Sequence, residues 1–485
     1  MNLSIGEIAR ACGGRLVLQG AEGRMVSEET LVDSVVLDSR KVTAGGVFVA
    51  TVGERVDGHR FIPQVFAAGA ALAVTEKTPE QVEAECGEPA DGWGSYLCVE
   101  DTFQALKDMA EYYRSKLSLP IVGITGSVGK TSTKEFIAGV LAEKYHVLKT
   151  EGNFNNEVGV PLTLLRIREE HEAAVVEMGI SDFGEMHRLS KMVRPNFCVI
   201  TNIGQCHLEN LKSREGILRA KTEIFDYMAE DGMVCLNGED DMLRTVTEVH
   251  GKKTHFFGLG GWDGEEVYAA DIVSKGLWGS EAVLHMPESS AFDVQIPLPG
   301  RHMVINGAAA ACVARLLGLT NEQIAEGIRK IQPVGGRNNL LRLTDYTVID
   351  DCYNANPVSM RAAIDLLAMA DTYRVAILGD MFELGENSDA LHAGVGAYAA
   401  ASGADCLICV GENARHIYEG AVKEEEEQTE GAKKQKIYYF AAREDLLREL
   451  AAAERRDVFL PKGCTVLVKA SHGMKFTELV DCLKQ

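Results

Sequence analysis

A chain of 485 residues, 46% apolar and 25% charged, has the ordinary balance of a soluble globular protein and is too long for one core, so about three domains are expected. Its 71 acidic residues against 49 basic ones leave a net charge of −22, which argues against a nucleic-acid backbone as principal partner. Any anionic substrate must then be held by local basic groups and backbone amides. No apolar run approaches the roughly 18 residues of a membrane span, and the start MNLSIGEIARACGGRL lacks the basic and long apolar stretches of a signal peptide. The 12 cysteines therefore read as reduced thiols, and a cytoplasmic, monomeric protein is expected.

Residues 1–117 alternate short strands and helices. Val35-Val36-Leu37, Val47 to Ala50 and Ala71 to Thr75 read as strands, and Phe61 to Ala70 and Phe103 to Leu117 as helices. Between them lie the polar loops Asp38-Ser39-Arg40 and Gly53 to His59, the latter carrying Asp57-Gly58-His59. Read alone, these are surface loops of a small α/β domain.

Residues 118–332 open on the most informative stretch, the apolar run Ile121 to Ile124 followed by Thr125-Gly126-Ser127-Val128-Gly129-Lys130-Thr131-Ser132. The helical pattern then begins at Thr133, with Phe136, Ile137, Val140 and Leu141 on one face. Strand, glycine-rich turn and helix make a phosphate-binding loop. Gly126 and Gly129 let backbone N–H groups close on phosphate oxygens, Lys130 reaches the β/γ-phosphates and the Thr131 hydroxyl reaches Mg²⁺. The general pattern G-x-x-x-x-G-K-[ST] would need glycine where this chain has Ile124, so the loop is a compact variant. Further strands at Ala173 to Val176, Phe197 to Thr201 and Met233 to Leu236 imply a mostly parallel sheet with helices on both faces. Ligands in such sheets sit beyond the carboxyl ends of the strands, where Glu177, Asn202 and His207 fall. Glu177 suits a Mg²⁺ ligand. His207 read alone is a surface loop histidine, and Lys221, within a helix expected over Ile217 to Phe225, a solvated lysine.

Residues 333–485 begin with the loop Pro333-Val334-Gly335-Gly336-Arg337 and alternate strands and helices again, as a second doubly wound sheet. Strands are expected at Thr347 to Ile349, Val375 to Leu378, Cys406 to Val410, Ile437 to Phe440 and Thr465 to Val468. Helices are expected around Ser359 to Met369, Leu391 to Ala401 and Arg443 to Ala452, with the charged stretch Lys423 to Lys436 a solvated helix end or loop. Cys406 and Cys409 have C-x-x-C spacing but fall inside an apolar run, and no second pair completes a zinc site. The polar clusters Asp351 to Pro357 and Gly379 to Gly385 follow strands and would face the central domain.

Eight ordered segments resemble the Mur ligase superfamily: T-G-S-V-G-K-T (125–131), N-F-N-N-E-V-G-V-P-L-T (153–163), E-M-G (177–179), T-N-I-G-Q-C-H-L-E (201–209), K-T-E-I-F (221–225), N-G-A-A-A (306–310), D-C-Y-N-A-N-P-V-S-M (351–360) and G-D-M-F-E-L-G (379–385). The last two mark one branch, because sister ligases carry a histidine-containing loop where this chain has Tyr353-Asn354-Ala355-Asn356-Pro357. The resemblance implies an α/β fold of three domains: a UDP-sugar-binding domain (1–117), a central parallel-sheet phosphate-loop ATPase domain (118–332) and a C-terminal Rossmann-like domain (333–485). It implies that ATP drives amide-bond formation between UDP-N-acetylmuramoyl-tripeptide and D-alanyl-D-alanine through an acyl phosphate. Gly126, Ser127, Val128, Gly129, Lys130, Thr131 and Ser132 would hold the phosphates, Asn306 the adenine, Arg337 the γ-phosphate region and Asp351 the ribose. Thr131 and Glu177 would bind one Mg²⁺, and His207 and a carbamylated Lys221 a second. Asp38, Ser39, Arg40, Asp57, Gly58 and His59 would grip the UDP-sugar, while Tyr353, Asn354 and Asn356 would meet substrate from the C-terminal side. Departures stand at His302-Met303, where the family has His-Asn, and at Ala470-Ser471-His472-Gly473, where Gly-Ser-Arg is common. The alternatives are a sister ligase adding another amino acid, and, from another class, a phosphate-loop kinase or nucleotide switch.

Overall fold

Aliphatic and β-branched runs ended by turn residues fold as parallel strands through most of this chain, in a computed structural model that describes residues 1–19, 26–53, 56–87, 94–333, 339–427 and 434–484. The first sheet runs Arg15–Val17, Ser95–Cys98, Leu72–Thr75, Val47–Val49, Val35–Val36, parallel except at the Arg15–Val17 edge. The expected helix over Phe61 to Ala70 is shorter, Ile62–Ala67, preceded by the 3₁₀ turn Gly58–Phe61.

The central sheet has nine strands, in the order Phe292–Ile296, Ser280–His285, Val267–Ser274, His255–Gly258, Met233–Asn237, Phe197–Ile200, Ile121–Thr125, Ala173–Glu177, Val147–Lys149. All pair in parallel except the antiparallel edge made by Ser280–His285 and Phe292–Ile296. Side chains alternate across it: Ile121 packs with the helices Thr102–Ser115 and Glu185–Val193, whereas Val122 and Ile124 pack with Lys130–Leu141 and Arg301–Leu316. The segment over Ile217 to Phe225 is the helix Arg214–Thr222 closed by a 3₁₀ turn, Glu223–Phe225.

The third sheet runs Asn339–Arg342, Thr347–Asp350, Thr465–Lys469, Arg374–Gly379, Cys406–Val410, Lys436–Phe440, parallel except at its first strand. Cys406 and Cys409 are fully buried in their strand, as the apolar run requires, and all 12 cysteines are free thiols. The charged run from Lys423 completes a helix, Ala414–Glu427, that packs through Ala414, Ile417 and Ala421; residues 428–433 lie outside the described residues.

The first two units share one core. Helix Thr102–Ser115 contributes Leu106, Met109, Ala110 and Tyr113 to a cluster that also holds Leu3, Ile8, Leu164 and Leu189. Arg114 then anchors the helix end: its guanidinium donates to the carbonyls of Val193 (2.7 Å), Leu117 (2.8 Å) and Arg194 (2.9 Å). The C-terminal unit is attached differently. The hairpin tip Gly276–Trp278 of the central sheet inserts Leu277 among Met360, Ile364 and Leu367, and the Arg342 guanidinium lies 3.6 Å from the Trp278 ring centroid. Leu277→Ala would leave a void at this joint. It is expected to cost about 2–3 kcal/mol and to lower the C-terminal unit's melting transition by roughly 4–10 °C in calorimetry. An unchanged transition would show that the tip does not hold the domain.

Candidate active site

The carboxyl ends of the central and C-terminal strands converge on a cavity of about 680 Å³, lined from one side by residues 127–130, Ser132, Thr133, Glu177, Asn202, His207, His302 and Asn306 and from the other by Asp351, Tyr353, Asn354, Asn356 and Lys469.

The phosphate loop is built by two glycines. Gly126 has φ +150°, and a Cβ there would stand 1.9 Å from Thr201 Oγ1, so only glycine fits. Gly129, at φ +84°, turns the chain into a helix that starts at Lys130, three residues before the apolar pattern begins at Thr133. Ile124 is a fully buried strand residue, which is why the first glycine of the general motif has no place there. Asn202 pins the loop: its carbonyl accepts from Ser127 N–H (3.0 Å), its Oδ1 from Val128 N–H (3.0 Å), and its Nδ2 donates to Val128 O (3.0 Å). Two loop amides are thus already used. The phosphate-facing donors narrow to the helix-start amides of Lys130, Thr131 and Ser132, which have no intrahelical acceptor. Lys130 Nζ donates back to Gly126 O at 2.8 Å.

Behind this loop Thr131 Oγ1 donates to Glu177 Oε2 at 2.8 Å, Asn155 Nδ2 donates to Glu177 Oε1 at 2.8 Å, and Thr150 Oγ1 accepts from Glu177 N–H at 3.0 Å. Glu177 is the last residue of its strand and is 1% exposed. Lys134, also buried, donates to Thr150 O at 2.7 Å and has its Nζ 3.9 Å from Glu177 Oε2. The Thr131 and Glu177 oxygens fit Mg²⁺: two cis ligands with bonds of 2.0–2.1 Å stand about 2.9 Å apart, close to the separation found here. Among the described residues no three His, Cys, Asp or Glu side chains converge on a metal position. Mg²⁺ ordinarily completes its shell with water and phosphate oxygens.

Lys221 is not the solvated lysine its sequence suggests. It is 1% exposed, and burial pushes its ammonium down to about 8, with nearby Cys206 opposing and Lys130 adding to the effect. No carboxylate of the described residues compensates its charge. His207, in a left-handed conformation at φ 50°, lines the cavity with Nδ1 2.9 Å from Glu383 Oε2 of the C-terminal unit. Burial pushes this imidazole below its ordinary value, and the Lys221 and Lys130 charges act the same way against the pull of Glu383.

On the facing side Asp351 Oδ2 accepts from the buried Lys469 Nζ at 2.6 Å, which also donates to Asn354 O at 2.9 Å. Asn356 caps the helix Pro357–Ala368 by accepting from Ser359 N–H at 2.9 Å. Asn306 Oδ1 accepts from Thr133 Oγ1 at 2.8 Å, which fixes the orientation of its side chain. Met303 in the departing dipeptide is buried in the core, while burial holds the cavity-lining His302 below its ordinary value, with Asp351 pulling upward. Arg337 lies outside the described residues.

None of the residues expected to grip a UDP-sugar lines this cavity. Asp38 binds its own neighbour, accepting from Arg40 Nε (2.9 Å) and Nη2 (2.8 Å), which holds the carboxyl down to about 2. Arg40 itself is exposed. The His59 ring is 1% exposed, Nδ1 donates to Asp57 Oδ1 at 2.6 Å and Nε2 accepts from Glu76 N–H at 3.0 Å. With both nitrogens used, His59 is an internal strut that shapes the Asp57 loop, and Lys77 takes the other Asp57 oxygen at 3.1 Å.

Family models match in three successive stretches: the Mur ligase family catalytic domain over residues 31–113, the Mur ligase middle domain over 124–314, and the Mur ligase glutamate ligase domain over 336–465. The UDP-N-acetylmuramoyl-tripeptide–D-alanyl-D-alanine ligase of Bacillus subtilis is 35% identical over 464 residues, 94% of either chain. This chain belongs to the Mur ligase family. Two solved structures resemble this Mur ligase throughout. MurF from Acinetobacter baumannii superposes with a TM-score of 0.85 at 31% identity, covering 100% of this chain and 99% of that one. MurF from Thermotoga maritima, in complex with ADP, gives 0.77 at 29% identity over 94% and 98%.

Three side chains of this Mur ligase's site carried no expectation from sequence: Lys134, Asn155 and Lys469. Lys134 stands four residues after Lys130 on one helix, a spacing that shares a face, and Lys469 directly follows the apolar run Val466-Leu467-Val468 of its strand. Both signals were available. Asn202, expected only to fall at a strand end, is a buttress. Asn202→Ala is expected to raise the KM for ATP about tenfold, roughly 1.4 kcal/mol, with kcat changed less. An unchanged KM would show that the loop holds its shape without it.

Proposed function

We propose that this protein joins D-alanyl-D-alanine to UDP-N-acetylmuramoyl-tripeptide with consumption of ATP, the activity named for its Bacillus subtilis relative, and that it does so in the cytoplasm. The observation that carries this reading is the single cavity shared by a phosphate loop and a second doubly wound domain. A kinase or nucleotide switch has no need of the second sheet, and the comparisons lend no support to those readings or to a sister ligase.

A carboxylate cannot form an amide directly because oxide is too poor a leaving group. Its oxygen attacks the γ-phosphorus of ATP, the bond to ADP breaks, and an acyl phosphate forms. The dipeptide amine then attacks the acyl carbon, a proton is lost from nitrogen, and phosphate departs from the tetrahedral intermediate. In this reading Lys130 and the helix-start amides of Lys130, Thr131 and Ser132 hold the transferring phosphate. Asn306 and Asp351 orient the nucleotide, and Lys469 keeps Asp351 in place. Tyr353, Asn354 and Asn356 close the far wall, and Ser39 and Arg40 supply the accessible polar groups for the distant UDP end. When bound, Mg²⁺ at Thr131 and Glu177, and a second ion at His207 and Lys221, would neutralise phosphate charge. A buried lysine without a counter-charge suits carbamylation, which turns an unfavourable cation into an anionic oxygen ligand. The two domains that form the cavity would exclude the water that hydrolyses an acyl phosphate.

The test is ATP-dependent phosphate release with UDP-muramoyl-tripeptide, with and without D-alanyl-D-alanine. Release requiring both, with the pentapeptide product found by mass, is expected. Release with another amino acid, or with neither substrate, would refute the assignment.

A further inference from the structure

The departing residue Met303 is the third residue of the helix Arg301–Leu316 and stands one turn before Asn306, so the two side chains share a face. Met303 is 1% and Asn306 7% exposed, yet Asn306 also lines the cavity. Its amide is held at both ends. Oδ1 accepts from Thr133 Oγ1 at 2.8 Å, and Nδ2 donates to Met303 Sδ at 3.5 Å. The second contact decides the first. A hydroxyl can donate or accept, so Thr133 would tolerate either end of the amide. A thioether sulfur can only accept, so it admits the nitrogen alone. With one N–H given to sulfur and the carbonyl oxygen given to Thr133, the second amide N–H is the donor left for a ligand.

We propose that Met303 is a positioning residue: its sulfur fixes the amide orientation of Asn306, so that this Mur ligase meets its nucleotide with an N–H donor suited to an acceptor nitrogen of a purine ring. This rests on the reading of Asn306 as a nucleotide contact. Met303 does not itself line the cavity, so any effect it has on binding passes through a neighbour. An inverted amide would present its oxygen where the nitrogen now stands, and that oxygen would be repelled by the lone pair of a ring nitrogen. Leucine in place of Met303 fills nearly the same volume but accepts nothing. The inverted orientation, which spares an N–H from facing an apolar wall, then becomes the better one.

The experiment compares the full-length wild type, Met303→Leu, Asn306→Ala and the double variant. Isothermal titration calorimetry with ADP and Mg²⁺ is run beside thermal melting and steady-state kinetics. Met303→Leu is expected to weaken ADP binding about fivefold and to raise the KM for ATP by the same factor, with kcat changed by less than about twofold. Its melting temperature should stay within about 2 °C of the wild type, since the swap conserves volume. Asn306→Ala is expected to weaken ADP binding about tenfold, and the double variant should bind no more weakly, because the sulfur then has no amide to orient. Unchanged ADP affinity in Met303→Leu would overturn the proposal alone, as would a further loss when Met303→Leu is added to Asn306→Ala. Wild-type affinity in Asn306→Ala would overturn the nucleotide-contact reading and the proposal together.

Discussion

Lys130→Ala is expected to lower kcat about 10³-fold, roughly 4 kcal/mol of transition-state stabilisation, while leaving the melting temperature within about 2 °C of the wild type. The asymmetry follows from where the lysine stands. It is the first residue of a helix, where a cation opposes the macrodipole, and its charge lies near Lys221 and disfavours protonation of His207. A fold would not place it there for stability. What the position offers is a cation beside the amides that face a transferring phosphate, whose charge spreads over three oxygens as its bond to ADP breaks. Lys130→Arg should restore little, because a planar fork cannot replace a compact ammonium in a loop whose shape Gly126 and Asn202 already dictate. The measurement is steady-state kinetics with all three substrates beside thermal melting. A kcat within threefold of wild type would remove Lys130 from the chemistry.

The features that were legible in the sequence are those with a local physical cause. Gly126 and Gly129 announce a loop because only glycine takes their φ angles without strain, and the strand and helix on either side are written in apolar spacing. The alternation of strands and helices gave three α/β units for the same reason. Of the antiparallel strands Ser280–His285 and Phe292–Ile296 only the second alternates apolar and polar residues, and S-E-A-V-L-H carries no strand period of its own, so nothing local marks the pair. Helix Ala414–Glu427 was hidden by its own charged end, since its apolar stripe is only Ala414, Ile417 and Ala421.

The candidate site was legible as a set of residues and much less as a set of roles. Glu177 and Asn202 were both placed at strand ends from sequence, yet one is a buried acceptor for Thr131 and Asn155 and the other a brace for the loop. The difference lies in partners 46 and 74 residues away, which no local pattern encodes. Lys469 and Asp351 are separated by 118 residues and meet only because their parallel strands are neighbours. His59 is the reverse case. Its place beside Asp57 and Gly58 suggested a ligand contact, whereas its burial turns the same polar atoms inward.

Lys221→Ala is expected to lower kcat by about 10²- to 10³-fold, roughly 3–4 kcal/mol, and Lys221→Arg should be equally impaired. Arginine keeps the cation but cannot add CO₂, so the pair of variants separates a carbamate from a simple positive charge. The neutral amine is what reacts. At its ordinary value of 10.5 about one lysine in 3,000 is neutral at pH 7, whereas at about 8 the fraction is about one in ten. Burial thus makes Lys221 far more reactive toward CO₂ than a surface lysine. Activity limited by carbamylation should rise as pH climbs toward 8. In CO₂-depleted protein the unmodified amine also gives a stability signature. Between about pH 8 and 10.5 the unfolded chain binds a proton that the folded chain does not, so stability should increase with pH across that window, the burial cost being fully present below it. Formate or acetate should rescue Lys221→Ala in part by returning a carboxylate to the vacated space, and ¹³C NMR of wild-type protein equilibrated with ¹³CO₂ should show one carbamate carbon that Lys221→Arg lacks. Full activity in Lys221→Arg, with no such signal in the wild type, would leave Lys221 a buried cation and remove it from the second ion site.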